Sequence, residues 1–89
     1  MPRFAHPHAE AAYHTGLAKG VPPHVAREAR WRLQLLHSAY ELGDVRAIGP
    51  IIRWANYPGR YGLRIHGKWY ITFVWVPDAG ATDIRLERR

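Results

Sequence analysis

No cysteine occurs anywhere in the 89 residues, which excludes a disulfide frame, a thiol nucleophile and a zinc-thiolate site. A reducing cytoplasm fits that composition. No apolar run approaches the roughly 20 residues that cross a bilayer, and Met1-Pro2-Arg3 leads into polar, histidine-bearing sequence rather than a signal-peptide core. A soluble, cytoplasmic protein is therefore expected. Lysine is scarce as well. Lys19 and Lys68 are the only two, so the formal charge of +6 and the pI near 10.3 come mainly from arginine, whose planar fork matches phosphate. Acid is missing from Val45 to Pro77, a span that holds Arg46, Arg53, Arg60, Arg64 and Lys68. There is no internal repeat, low-complexity tract or long linker. The length suits a single domain over residues 1–89 with one hydrophobic core.

An arginine-rich chain without acid in its centre points first to nucleic acid as partner, then to an acidic protein segment. Anionic lipid ranks last, because no basic amphipathic helix is evident. The six histidines include His6-Pro7-His8 and His14. Two imidazoles in a proline-bearing arm lack the fixed geometry and the carboxylate or thiolate company of a metal site, so neither metal nor cofactor is expected.

Along the chain, Arg3 to Pro7 reads as an extended arm and His8 to Leu17 as a short helix, with Glu10 in its first turn and Gly20 closing the segment. A second helix opens at Pro22-Pro23. Its apolar stripe of Val25, Ala29, Leu33, Leu36 and Tyr40 is spaced to face a core, and Gly43-Asp44 stops it. Ile51 to Tyr57 reads as a strand followed by a turn or loop. Pro77-Asp78-Ala79-Gly80 is a turn signal. Beyond it, Thr82, Ile84 and Leu86 alternate with Asp83, Arg85 and Glu87 in a last strand.

The segment from Arg60 to Val76 is the most patterned. Tyr61, Leu63 and Ile65, then Trp69, Ile71, Phe73 and Trp75, alternate with polar or small residues as half-buried strands do. A two-residue His66-Gly67 loop would set apolar residues beside polar ones. A three-residue Ile65-His66-Gly67 loop, with Gly67 at positive φ, pairs Leu63 with Trp69 and Tyr61 with Ile71. Arg60, Arg64, Lys68, Tyr70 and Thr72 then share the face away from the core, a surface suited to a polyanion. Two helices followed by an antiparallel meander make an α+β fold, with two N-terminal helices packed on one face of a small antiparallel sheet.

With those residues in place, the sequence resembles HigB-type toxins of the RelE/ParE superfamily, the killer half of bacterial toxin–antitoxin pairs. Gly59 to Phe73 is similar to the family hairpin "G-x-Y/W-S-I-R-I-N-G-x-W-R-I-x-F", and Ala81-Thr82-Asp83-Ile84 to the "A-Y-D-V" of its last strand. Upstream, Gly20 to Ala26 resembles "G-I-x-P-x-x-A", Leu33 to Leu36 resembles "L-x-x-L", and Asp44 to Ile48 sits where the family has "D-L-R-x-I-P-G". The family's "H-P-L-K-G-D-R" segment is replaced by the shorter Arg53 to Tyr57. Its hairpin arginine is Tyr70 here, and its Asp-Tyr-His tail is Glu87-Arg88-Arg89.

The resemblance implies a ribosome-dependent endoribonuclease that cuts messenger RNA, uses no metal and is silenced by a helix-turn-helix antitoxin of HigA type. Its partners would be that antitoxin, the ribosome and mRNA, with no membrane. On that reading the catalytic set is Arg60, Arg64, Tyr70 and Arg89, while Arg53, Trp54, Lys68, Arg85 and Arg88 hold nucleic acid. The general base stays open among Tyr70, Glu87 and His66. Trp54 and Tyr57, beside Arg53, are suited to stacking on a base, to packing in the core or to contact with the antitoxin. Arg60→Ala and Arg64→Ala are each expected to remove toxicity with little effect on stability. Two other functions share the features: a ParE-like toxin that binds DNA gyrase, and a catalytically inactive nucleic-acid-binding relic.

Overall fold

The structure, a computed structural model, describes residues 7–54 and 57–89. Three helices, α1 (Pro7–Thr15), α2 (Pro23–His37) and α3 (Leu42–Ile48), precede β1 (Ile51–Arg53), β2 (Arg60–His66), β3 (Trp69–Val76) and β4 (Gly80–Arg88). The strands form one antiparallel sheet in the order β1-β2-β3-β4. This is the expected α+β class, with one helix more than the sequence predicted. No helix among the described residues is long and apolar enough to cross a membrane. The arm predicted over Arg3 to Pro7 lies, except for its last residue, outside the described residues.

One apolar layer joins helices to sheet. Val25, Ala29, Leu33 and Leu36 of α2 and Ala12 of α1 meet Leu63, Ile65, Ile71, Phe73, Ile84 and Leu86, all buried. Each large aliphatic or aromatic side chain removed from water there contributes about 1.5–3 kcal/mol. Pro23 begins α2, where a missing N–H costs nothing. The first helix ends earlier than Leu17. Gly16, at φ +72°, terminates it, its amide donating to the Ala12 carbonyl at 2.9 Å, and Leu17 is exposed.

Helix α2 also stops before its expected end. The Ser38 amide turns back to Leu35 and its hydroxyl to Gln34, so Tyr40 leaves the stripe and is 91% exposed. Gly43-Asp44, expected to end α2, instead opens α3. The Asp44 carboxylate accepts the Tyr40 and Glu41 amides, each at 3.0 Å, as an acid in a first helical turn does. Val45 carries α3 into the core.

The hairpin register differs from the expected one by two residues. Leu63 pairs with Ile71 and Tyr61 with Phe73, because the extra residue is absorbed as an irregularity between Arg64 and His66. The loop shrinks to Gly67-Lys68, with Gly67 at φ +58°. A shift of two preserves side-chain parity, so the predicted separation of faces survives in both strands, whereas Lys68, expected on the outer face, falls in the turn. In β4 the alternation breaks. Ala81 and Ile84 are both buried although three apart, which is possible because Asp83, at φ +48°, bulges out of the ladder opposite β3. Thr82 accordingly turns from the core and donates to the Val74 carbonyl.

Candidate functional site on the outer sheet face

Strand parity sets Arg60, Gly62 and Arg64 of β2, Tyr70 and Thr72 of β3, and Arg85 and Glu87 of β4 on the face away from the helices. That face has a closed half and an open half.

The closed half is built on Arg60, which is 1% exposed. One terminal nitrogen donates to Thr72 Oγ1 at 3.1 Å and to the Asp83 carbonyl at 3.0 Å, and the other pairs with the Asp83 carboxylate. Arg85 approaches the same carboxylate at 3.5 Å. Tyr57 lies over both cations, its ring centroid 4.9 Å from the Arg60 guanidinium carbon and 6.0 Å from that of Arg85. The positive φ of Asp83 is what aims the carboxylate and the carbonyl of one residue at one guanidinium. Aspartate tolerates that backbone better than most residues. The expectation of an outward, solvent-facing Arg60 is therefore corrected: it points to the predicted side of the sheet but is sealed there by the 57–59 segment and the β4 bulge. The matching expectation, that Arg60→Ala would spare stability, is reversed.

In the open half, Arg64, Tyr70 and Glu87 stand opposite one another across β2, β3 and β4, adjacent strands being about 4.8 Å apart. Arg64 is exposed, and its Nε donates to the Gly67 carbonyl at 3.1 Å. Tyr70 and Glu87 are half-buried. Glu87 accepts a hydrogen bond from the Thr72 hydroxyl, which itself accepts from Arg60. A chain of hydrogen bonds thus runs from the interior ion pair through Thr72 to the Glu87 carboxylate and restrains it.

Trp54 borders both halves. Its indole lies on Gly62 and meets the Tyr70 ring at 5.3 Å between centroids. A Cβ on Gly62 would sit 2.8 Å from Trp54 Cε3 and 3.3 Å from Tyr70 Cδ2. Gly62→Ala should consequently displace the indole and lower stability by about 1–3 kcal/mol, read as a lower melting temperature with altered tryptophan emission. A cleft of about 680 Å³ opens beside Trp54, lined also by Arg53, Tyr57 and Tyr61.

The remaining predicted residues do not join the row of Arg64, Tyr70 and Glu87. Arg53 is exposed on the edge strand β1. Arg85 is half-buried and engaged with Asp83 and Tyr57. Arg89 is exposed, its amide bonded to the Lys68 carbonyl at 2.7 Å. Lys68 sits in the β2–β3 turn rather than among the outward strand residues, and Arg88 pairs with Trp69, whose parity is that of the helix side. His66 meets His24 edge to face, away from the row.

Sequence reasoning missed Asp83 as the partner of Arg60. Its one signal was the unequal spacing of Ala81 and Ile84, which no regular strand accommodates. Chemically, the open row offers a carboxylate acceptor, a phenolic donor and a guanidinium cation on three rigid strands. No protein-family model matches this sequence, and no curated protein matches it significantly.

Proposed function

We propose that this protein is the toxin of a type II toxin–antitoxin system that cuts messenger RNA through the RNA's own 2′-hydroxyl, without a metal. The observation that carries the reading is the row Arg64, Tyr70, Glu87 across three adjacent strands of a basic chain. The hairpin and last-strand resemblance to HigB-type toxins and the α+β architecture support it. Glu87 accepts the 2′-hydroxyl proton, the freed oxygen attacks phosphorus, and the bond to the 5′-oxygen breaks. The leaving oxygen takes a proton from Tyr70. Arg64 stabilises the charge that builds on the phosphate oxygens, and the products are a 2′,3′-cyclic phosphate and a 5′-hydroxyl. Trp54, held against Tyr70, borders the place where a neighbouring base would lie. A HigA-type helix-turn-helix antitoxin and the ribosome are the partners that follow from the resemblance.

The test is primer extension on mRNA after induction of the protein alone. New 5′ ends are expected for the wild type, and Arg64→Ala should reduce cleavage by about 10²–10³-fold, the scale of removing one transition-state donor. Because Arg64 is exposed, the melting temperature should change little. Growth arrest with a DNA-damage response and no new 5′ ends would replace this reading by a gyrase-directed toxin. Unaffected growth would leave a non-catalytic binding relic.

A further inference from the structure

Two cations and two imidazoles gather at the end of the sheet, on the helix side. His24 in the first turn of α2, His66 at the end of β2, Lys68 in the β2–β3 turn and Arg88 near the end of β4 line a pocket of about 380 Å³ with Gly67 and Trp69. Among the described residues no carboxylate lines it, and neither Lys68 nor Arg88 forms an ion pair. The four side chains come from three separate places in the sequence, and the fold holds them together. The Arg89 amide ties the end of β4 to the Lys68 carbonyl at 2.7 Å, Arg88 stands opposite Trp69, and the two imidazoles meet edge to face with centroids 5.0 Å apart. The first turn of α2 carries no acidic residue and no side-chain cap, so its dipole adds to the positive potential rather than being neutralised.

We propose that this pocket is a phosphate-binding site that holds a backbone phosphate of a bound nucleic-acid strand, separate from the Arg64, Tyr70, Glu87 row. A lysine, an arginine and two imidazoles that line one pocket without an acid supply a donor set for a phosphodiester oxygen. A chain of net charge +6 supplies the long-range attraction that brings a polyanion to it. The proposal rests on the RNA-directed reading only for the nature of the strand.

The test uses the full chain and two probes, inorganic phosphate and a short 2′-deoxy oligonucleotide, which 2′-hydroxyl chemistry cannot cut. Imidazole resonances of His24 and His66 are followed by NMR, and affinity is measured for wild type, Lys68→Ala/Arg88→Ala and Arg64→Ala. The oligonucleotide should shift both imidazoles. The double variant, with both residues exposed and the fold checked by circular dichroism, should bind about 10²-fold more weakly, the scale of two missing charge-assisted hydrogen bonds. Its dependence on salt should fall by roughly 0.7 log units per decade for each phosphate it no longer engages. Arg64→Ala should leave the imidazole shifts in place. Saturation by inorganic phosphate with no tighter binding of the oligonucleotide would assign the pocket to free phosphate and overturn the strand proposal. Unmoved imidazoles with both probes would overturn the site altogether. Since the probe is not cut, cleavage can fail while this binding persists, and the reverse.

Discussion

Arg60→Ala should destabilise the protein by about 1–3 kcal/mol, the scale of leaving buried hydrogen-bond partners unsatisfied, since the Asp83 carboxylate is partly exposed and keeps Arg85 at 3.5 Å. The loss is large because Arg60 satisfies several groups at once. Without it, the Asp83 carboxylate, the Asp83 carbonyl and the Thr72 hydroxyl lose a shared donor in a half-buried or buried setting. Denaturant unfolding followed by circular dichroism would measure this directly. Asp83→Asn separates the charge from the backbone. It keeps a residue that accepts positive φ and a carbonyl oxygen for Arg60, so it should cost less than Asp83→Ala, which adds about 1–2 kcal/mol of left-handed backbone strain. A double-mutant cycle between positions 60 and 83 should then show strong coupling. If Arg60→Ala unfolds at the wild-type denaturant concentration, the sealed ion pair is absent and Arg60 is an ordinary surface cation. Loss of toxicity in Arg60→Ala says nothing about chemistry until folding has been measured.

If the proposed RNA cleavage holds, Glu87→Gln should lower its rate by about 10²–10⁴-fold, the usual contribution of a positioned general base. The amide oxygen can still accept the Thr72 hydroxyl, so stability should stay within about 1 kcal/mol of wild type. Thr72→Val gives the complementary reading. It leaves the carboxylate but removes the hydroxyl that joins it to Arg60, so cleavage should fall less than in Glu87→Gln while stability falls more, since an interior guanidinium loses an acceptor. Single-turnover cleavage of an RNA substrate alongside thermal unfolding distinguishes the two patterns. Full cleavage by Glu87→Gln would remove the carboxylate from the mechanism and leave Tyr70 and His66 as proton acceptors to consider.

Arg60 is the least legible part of the site in the chain. Glu87 stood only as one of three open choices for a base, with Tyr70 and His66, and the structure adds that it stands opposite Tyr70. The sealed state of Arg60 was not legible. It depends on a tyrosine from the 57–59 segment and on a bulge at Asp83, 23 residues further along. Neither leaves a periodic trace near Arg60. Gly62 likewise read as an ordinary small residue on a strand, and its reason is the indole of Trp54 lying against it. The third helix was hidden because Gly43-Asp44 carries the signals of an ending as well as those of a beginning. Asp44 decides by accepting two amides upstream of itself.

What the amino-acid order determined alone was parity within the strands: which residues of Arg60 to Arg64 and of Trp69 to Val76 face the helices and which face away, the turn with Lys68 excepted. A strand's side chains alternate with a period of two, a local property of the backbone that even a two-residue change of register leaves intact. Exposure belonged to tertiary structure. Whether a guanidinium on the outer face meets water or an aspartate depends on what distant segments fold over it. Burial of a charge is tolerated only where a partner is delivered, here by a residue held at positive φ in a strand bulge.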